Sequence, residues 1–257
     1  MALTAEERER YARHILLKEI GGPGQQKLKA ATVVLVGAGG LGAPAALYLA
    51  AAGIGKLRIV DHDAVALSNL QRQVVYRAMD VGRPKAERTR AVLNELNAHV
   101  DVEAMDQRLT AENAAYLLQG ATIVLDGTDD FATRFAVNAA CHELGVTLIS
   151  GAVGRWDGQV AAFKSGVTKH LPTEQRLPCY RCFVPETPPD AERCAEVGII
   201  GALPGVIGSM MALEAIKEIA EAGESLAGRL LIFDGLAATA RTIGLKRDTA
   251  CPVCGHD

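Results

Sequence analysis

The sequence predicts an α/β protein: a mostly parallel, doubly covered sheet continued by antiparallel strands, with a C-terminal lobe tied by cysteines. Three observations carry that expectation. Through residue 150, short apolar runs alternate with helix-like segments, the pattern of a parallel sheet buried on both faces. The first run, Thr32 to Val36, breaks into Gly37-Ala38-Gly39-Gly40-Leu41-Gly42 and then a helix. From Gly151 the pattern changes: Gly158 to Lys164 reads as an antiparallel strand without a crossover helix, and two Cys-x-x-Cys pairs appear, Cys179/Cys182 and Cys251/Cys254.

The elements fall in order. Thr4-Ala5-Glu6-Glu7 has the form of a capping box and opens a helix through about Leu17, which Gly21-Gly22-Pro23-Gly24 stops. A short helical piece, Gln25 to Ala30, leads into the first strand. The helix after the glycines runs from Ala43 to Ala52, and the strand Lys56 to Val60 ends at Asp61. His62 to Pro84 is a long polar connection, and loops of that length in compact α/β units are more often functional than idle. Pro84 suits the start of a helix from Lys85 to about Leu96. Val100 to Gln107 alternates as a half-buried strand does, and Thr110 is the expected cap of a helix ending near Gly120. The apolar strand Ala121 to Asp126 breaks into Gly127-Thr128-Asp129-Asp130, followed by the helix Phe131 to Leu144 and the strand Val146 to Ser150. Gly158 to Lys164 reads as an antiparallel strand, 165–204 as irregular, and Pro204 to Ala222 as a long helix. Two strands, Arg229 to Phe233 and Ala238 to Leu245, precede the cysteine tail.

Composition narrows the function. The 257 residues are 49% hydrophobic and 22% charged, enough for a sizeable core without disulfides. A net charge of −3 and 4% aromatics advertise neither nucleic acid nor an anionic membrane. The N-terminal residues show no secretory h-region and no apolar run long enough to span a bilayer, so a cytoplasmic protein is expected.

Gly37, Gly39 and Gly42 stand in G-x-G-x-x-G spacing. The first permits the turn, the second admits a phosphate close to the backbone, and the third lets helix and strand pack. Asp61 sits where an acid bonds ribose hydroxyls. Alone, this turn favours a nicotinamide-dependent oxidoreductase or a flavin enzyme, and the rest of the chain must decide. The loop Asp61-His62-Asp63 to Ser68-Asn69-Leu70-Gln71-Arg72-Gln73 is dense in ribose- and phosphate-binding groups, with Arg72 able to fork onto phosphate. Its ordinary alternative is a solvated loop. Lys85 can point an ammonium at the same phosphates, although a lone lysine there is usually only solvated.

Asp129 and Asp130 follow a parallel strand at its C-terminal end, where ligands of open α/β sheets bind. Asp129 is the candidate Mg²⁺ ligand; Asp130 is assigned to capping the next helix or to adenine-side contacts. The two Cys-x-x-Cys pairs suit a closed, structural Zn²⁺ site of Cys179, Cys182, Cys251 and Cys254, against the alternative of redox pairs or inert thiols. Cys194, beside Arg193, is a candidate nucleophile or a small buried hydrophobe. Cys141 reads as core.

Taken together, these residues resemble the MoeB/ThiF family, in the ubiquitin-activating-enzyme superfamily. The resemblance covers almost the whole chain. It lies in Tyr11-Ala12-Arg13-His14-Ile15-Leu16-Leu17, the glycine turn, Ser68 to Gln73, Gly127-Thr128-Asp129, both cysteine pairs, and Leu203 to Ser209. It implies a single adenylation domain over 1–257: N-terminal helices over 1–31, a Rossmann-like nucleotide-binding half over 32–150, and a carrier-binding half over 151–257. It implies ATP and Mg²⁺, and adenylation of the C-terminal Gly-Gly carboxylate of a ubiquitin-like sulfur carrier of MoaD or ThiS type, as in molybdenum-cofactor or thiamine biosynthesis. The expected ATP contacts are Gly40, Asp61, Ser68 to Arg72, Lys85, Asp129 and Asp130. Asp63 is counted with the cofactor-binding loop. Arg13 is expected to reach the ATP of the second subunit of a homodimer, and Cys194 matches a position that forms a thioester or persulfide in some relatives. Sulfur is expected from a separate donor, a cysteine desulfurase or rhodanese, or through Cys194. The stretch Lys169 to Arg193 resembles the crossover loop over which the carrier tail passes. The sequence departs from the family at Asp130, where Asn is common, which leaves that position between metal affinity and adenine-side contact. A non-catalytic scaffold would keep the fold and zinc site but has no need of Arg13, Asn69, Arg72, Lys85 and Asp129 together.

Overall fold

Thr32–Val36 (β1) lies at the centre of the sheet, and its alternating side chains go to opposite cores. Val33 and Leu35 join Leu28, Leu49 and Met211 on one face, while Val34 and Val36 join Leu117 and Val137 on the other. Burying each such side chain contributes roughly 1.5–3 kcal/mol, an upper figure because unfolded chains already hide some apolar surface. The computed structural model describes residues 2–188 and 198–255.

The other strands are Lys56–Val60 (β2), Asp101–Met105 (β3), Ile123–Asp126 (β4), Thr147–Val153 (β5), Asp157–Phe163 (β6), Arg229–Asp234 (β7) and Thr239–Gly244 (β8). They form one sheet in the order β3-β2-β1-β4-β5-β6-β7-β8. The first five are parallel; β6, β7 and β8 are added antiparallel. The expected Rossmann-like sheet with an antiparallel extension is therefore present. The chain leaves β1 towards β2 on one side and returns to β4 on the other. A crevice opens where those connections diverge, beyond the carboxyl ends of β1 and β4.

The helices Lys85–Leu96 and Phe131–Leu144 lie where the sequence predicts them. Three N-terminal and loop expectations need correction. The first helix ends at Arg10 and a second short one covers Ala12–Ile15, because Tyr11 turns inward, buried, to accept a hydrogen bond from Asn97 Nδ2 at 2.8 Å. The Gly21–Gly24 cluster does not stop a helix but opens one, Gly21–Ala30. Pro23 falls in its first turn, where the missing N–H has no helical partner to lose, and the first bond runs from Gly24 N to Ile20 O at 2.8 Å. The helix assigned to Thr110 covers only Ala114–Leu118, since Asn113 Oδ1 accepts from Thr110 N and holds the preceding residues in a turn. The stretch 165–188 is also less irregular than expected, with short helices Ser165–Thr168 and Tyr180–Phe183. The long C-terminal helix covers Ala202–Ala220 and packs on the Gly42–Ala52 helix.

Candidate active site

Two glycines allow the ends of β1 and β4 to touch. Gly37 has φ +87°, and a Cβ there would lie 3.3 Å from the carbonyl of Gly127. A Cβ on Gly42 would collide with the Gly37 carbonyl oxygen, so the third glycine serves helix–strand packing rather than ligand contact. The helix it opens makes its first bond from Ala43 N to Gly39 O, and the amides just before it belong to no helical bond. Beyond this turn is a cleft of about 400 Å³, lined by Gly37, Gly39, Gly40, Asp61, Arg72, Lys85 and Asp129 among others.

Asp61 braces the turn. Its Oδ2 accepts from Ala38 N at 2.7 Å and its Oδ1 from Asp63 N at 2.8 Å. Burial pushes its carboxyl above the ordinary range, against the pull of Lys85 and of those two amides. Asp63 goes the other way. Burial would raise it, but the hydrogen bond and charge of Lys85 outweigh burial and hold it below the usual carboxylate range. Lys85 donates to Asp63 Oδ2 at 2.7 Å, so its ammonium waits on the cleft wall already desolvated and oriented.

The Ser68–Arg72 segment divides. Arg72 lines the cleft and donates to Ser68 O at 3.1 Å. Ser68, Asn69, Leu70 and Gln71 do not line it. Asn69 Oδ1 accepts from Ala66 N at 3.1 Å, Leu70 packs on the small core of Val65, Val75 and Tyr76, and the Gln71 backbone lies against Gly201. These four shape the loop that presents Arg72. Arg13 is exposed and is not on the wall of its own chain's cleft.

Asp129 and Asp130 both line the cleft but differ in their own contacts. Asp130 is the N-cap of Phe131–Leu144, its Oδ2 accepting from Thr133 N at 3.0 Å, and it lies 3.7 Å from Arg108. Asp129 lines the cleft with an exposed carboxylate that takes no hydrogen bond from the described residues. An open carboxylate beside Arg72 and Lys85 suits a hard cation carried in on phosphates. Cys194 lies outside the described residues; Cys141 is buried, as expected, and burial pushes its thiol well above the ordinary range.

Sequence reasoning missed several residues of the wall. Gln73 is 4% exposed with its Oε1 unpartnered, and Arg108, Arg134, Tyr180 and Phe183 also line the cleft. Gln73 had a signal, since it continues the Arg72 loop. The others come from elements far apart in sequence.

Behind Tyr180 the four cysteines gather. Cys179 and Cys251 sulfurs lie 3.5 Å apart, Cys182 and Cys254 3.4 Å apart, and all four fall within 4.8 Å of one another. Four sulfurs at Zn–S ≈ 2.3 Å in a tetrahedron would stand about 3.8 Å apart, so the cluster fits that ion without rearrangement. Hydrogen bonds from Cys179 and Cys254 pull the Cys182 thiol down, while contacts with Cys182 and Cys254 push Cys179 up. Four sulfurs so close suit a cation that all of them could hold as thiolates.

The comparisons agree with this geometry. Solved structures of E. coli MccB with MccA-N7isoASN (TM-score 0.82, 22% identity, covering 97% of this chain and 75% of that one) and of SeMet PaaA (0.78, 24%, 95% and 75%) share the fold. A sulfur carrier protein adenylyltransferase of Thermus thermophilus is 47% identical over 261 residues, covering the whole of this chain and 94% of that protein. The SAMP-activating enzyme E1 of Haloferax volcanii is 43% identical, over the whole of this chain and 92% of that protein. A probable adenylyltransferase/sulfurtransferase MoeZ of Mycobacterium tuberculosis is 43% identical over 98% of this chain but only 63% of its own length. The ThiF family profile matches residues 11–253, nearly the entire chain, and the chain therefore belongs to the ThiF family.

Proposed function

We propose that this protein is a nucleotidyltransferase that adenylates the C-terminal Gly-Gly carboxylate of a ubiquitin-like sulfur carrier of MoaD or ThiS type, using ATP and releasing pyrophosphate. The observation that carries it is a glycine-turn cleft holding Arg72, Lys85 and Asp129 together, in a chain 47% identical to a named sulfur carrier protein adenylyltransferase. The nicotinamide-dependent oxidoreductase explains the turn and Asp61 only, and no relative above supports it.

The chemistry asks for positioning more than for a base. The carrier carboxylate is already ionised; one of its oxygens attacks the α-phosphorus, the bond to the β,γ-diphosphate breaks, and pyrophosphate leaves with the negative charge. Asp61 orients the ribose and the glycine turn accommodates the phosphates. Arg72 and Lys85 neutralise the charge that builds on the phosphate oxygens. Asp129 would hold Mg²⁺, which when bound screens those oxygens further. A second copy of the chain is the proposed source of Arg13. Its exposure next to Leu16 and Leu17, 75% and 51% exposed, supports an apolar contact between copies. Cys179, Cys182, Cys251 and Cys254 would hold a structural Zn²⁺. The later conversion to thiocarboxylate uses a separate sulfur donor, a cysteine desulfurase or rhodanese, with Cys194 as a candidate relay. Among the described residues no helix is long and apolar enough to cross a membrane, and the proposed location is cytoplasmic.

The test is ATP–pyrophosphate exchange with each Gly-Gly-ending ubiquitin-like protein of the same organism. Carrier-dependent exchange is expected with at least one. Its absence with all of them, or tight NAD(H) binding, would overturn the assignment.

A further inference from the structure

Arg134 is 6% exposed, lines the cleft, and has no part in the chemistry above. Its contacts tie the peptide after Thr128 to β5. Nη2 donates to the carbonyl oxygen of Thr128 and, at 2.9 Å, to that of Gly151 within β5. Nη1 donates to Ser150 Oγ at 3.2 Å and lies 3.9 Å from Asp126 Oδ2. Asp126 holds the other side of the same residue, its Oδ1 accepting from Thr128 N at 3.0 Å and from Thr128 Oγ1 at 2.7 Å. Thr128 is thus gripped at its N–H, its hydroxyl and its carbonyl. Because a peptide unit is planar, fixing the Thr128 carbonyl fixes the plane that carries the Asp129 nitrogen and Cα.

The guanidinium is itself backed by Tyr180, whose ring centroid is 6.0 Å from Arg134 Cζ. Tyr180 is 5% exposed, stands edge-on to Phe163 at 5.7 Å, and donates its backbone N–H to Asn138 Oδ1 at 2.8 Å. It is also the residue immediately after Cys179, inside the first cysteine knuckle. A continuous line of contacts therefore runs from the cysteine lobe through Tyr180 and Arg134 to the peptide that aims Asp129.

We propose that Arg134 is a positioning residue for Asp129, holding the 128–129 peptide so that the Asp129 carboxylate faces the cleft, with Tyr180 as its support from the cysteine lobe. The proposal rests on Asp129 being the magnesium ligand of the adenylation reaction. A lysine in place of Arg134 keeps the charge opposite Asp126 but, as a point charge, cannot serve the Thr128 and Gly151 carbonyls in one plane.

The experiment is a magnesium titration of carrier-dependent ATP–pyrophosphate exchange by the full chain, with thermal midpoint and zinc content measured alongside. Arg134→Lys is expected to raise the half-saturating magnesium concentration at least tenfold while changing the carrier KM less than threefold. Tyr180→Leu is expected to raise it several-fold, and Tyr180→Phe, which keeps the ring but loses the hydroxyl interaction with Arg134, to raise it less. A merely structural role would lower the thermal midpoint and leave the magnesium curve in place, and that result would overturn the proposal. If Arg134→Lys does not fold, Tyr180→Leu decides: an unshifted curve counts against the proposal, a shifted one for it. Asp129→Ala separates the two layers. If it keeps a normal magnesium curve, the magnesium assignment fails and this proposal with it. If it abolishes exchange while Arg134→Lys shifts nothing, only the positioning role fails.

Discussion

The Lys85 ammonium lies 2.7 Å from the Asp63 carboxylate, at the end of a side chain that is 6% exposed. Asp63 is about half exposed, so the pair has one desolvated cation and one carboxylate open to water. That asymmetry suits a cation stored for an incoming polyphosphate: the buried partner is already ordered, and the exposed one can be exchanged for phosphate oxygens. Lys85→Met is expected to lower ATP–pyrophosphate exchange by about a hundredfold, the scale of a lost charge stabiliser in a transition state. Asp63→Asn should cost less than about tenfold, because Lys85 keeps its place. Steady-state exchange rates for the two variants check the ordering.

Gly42 has no room for a side chain, since a Cβ would run into the Gly37 carbonyl oxygen. Gly42→Ala is expected to destabilise the protein by about 3 kcal/mol or more, because the obstacle is backbone rather than a movable side chain. A urea denaturation midpoint close to that of the parent would contradict it.

The cysteine cluster gathers residues from the Tyr180–Phe183 knuckle and from the tail after β8. Cys251→Ser should drop bound zinc from about one ion per chain towards none, in keeping with a four-thiolate site. The segment around residues 246–255 should then become readily cleaved by protease, while the β1–β5 sheet stays protected. Metal analysis and limited proteolysis read the two effects separately.

At Asp130, capping and charge can be separated. Asn retains an acceptor for Thr133 N–H but removes the charge facing Arg108 at 3.7 Å, where Arg108 is 60% exposed. Asp130→Asn is expected to change stability by no more than about 0.5 kcal/mol, since exposed ion pairs are weak. Asp130→Ala loses the cap and should cost about 1 kcal/mol. Thermal unfolding of both variants tests the assignment.

Glu103 sits on β3 at the sheet edge, held below the ordinary glutamate range chiefly by its hydrogen bond from Arg58 at 2.9 Å, with Lys56 at 3.1 Å adding to it. A carboxyl lowered in the folded state stabilises above its unfolded value, here 4.5, and that contribution is lost as pH falls through the folded value. At a site about a third exposed it amounts to about 1 kcal/mol or less. Glu103→Gln should therefore lose stability at neutral pH and flatten the acid limb of the stability curve, as chemical denaturation at several pH values will report.

Much of the nucleotide-binding half was legible in the residue order, because its signals are local. The strand–glycine–helix run, the Pro84-led helix and the Asp130 cap each depend on neighbours within a few positions. The errors share a cause. Gly21–Gly24 was read as a terminator, although glycines and Pro23 are equally tolerated in a first helical turn, and which end they mark is set by what the helix packs on. There Gly24 meets Ile20 and Ala220, a contact spanning most of the chain. Within Ser68 to Arg72 the residue order marks a nucleotide loop but not which side chain faces the cleft: Asn69 Oδ1 accepts from Ala66 N while Arg72 lines the wall.

The sequence by itself determined the glycine turn, the acids at the strand ends, and two cysteine pairs whose spacing already suits a metal. Those depend on backbone conformation and on residues adjacent in the chain. Only the tertiary structure decided that the pairs meet, that Arg72 alone of its segment lines the cleft, and that Arg134 ties Thr128 to Gly151 under the support of Tyr180. The reason is physical. A guanidinium that bridges a loop and a strand, or four sulfurs that share one centre, is specified by distances between segments far apart in sequence, and those distances exist only once both cores are packed.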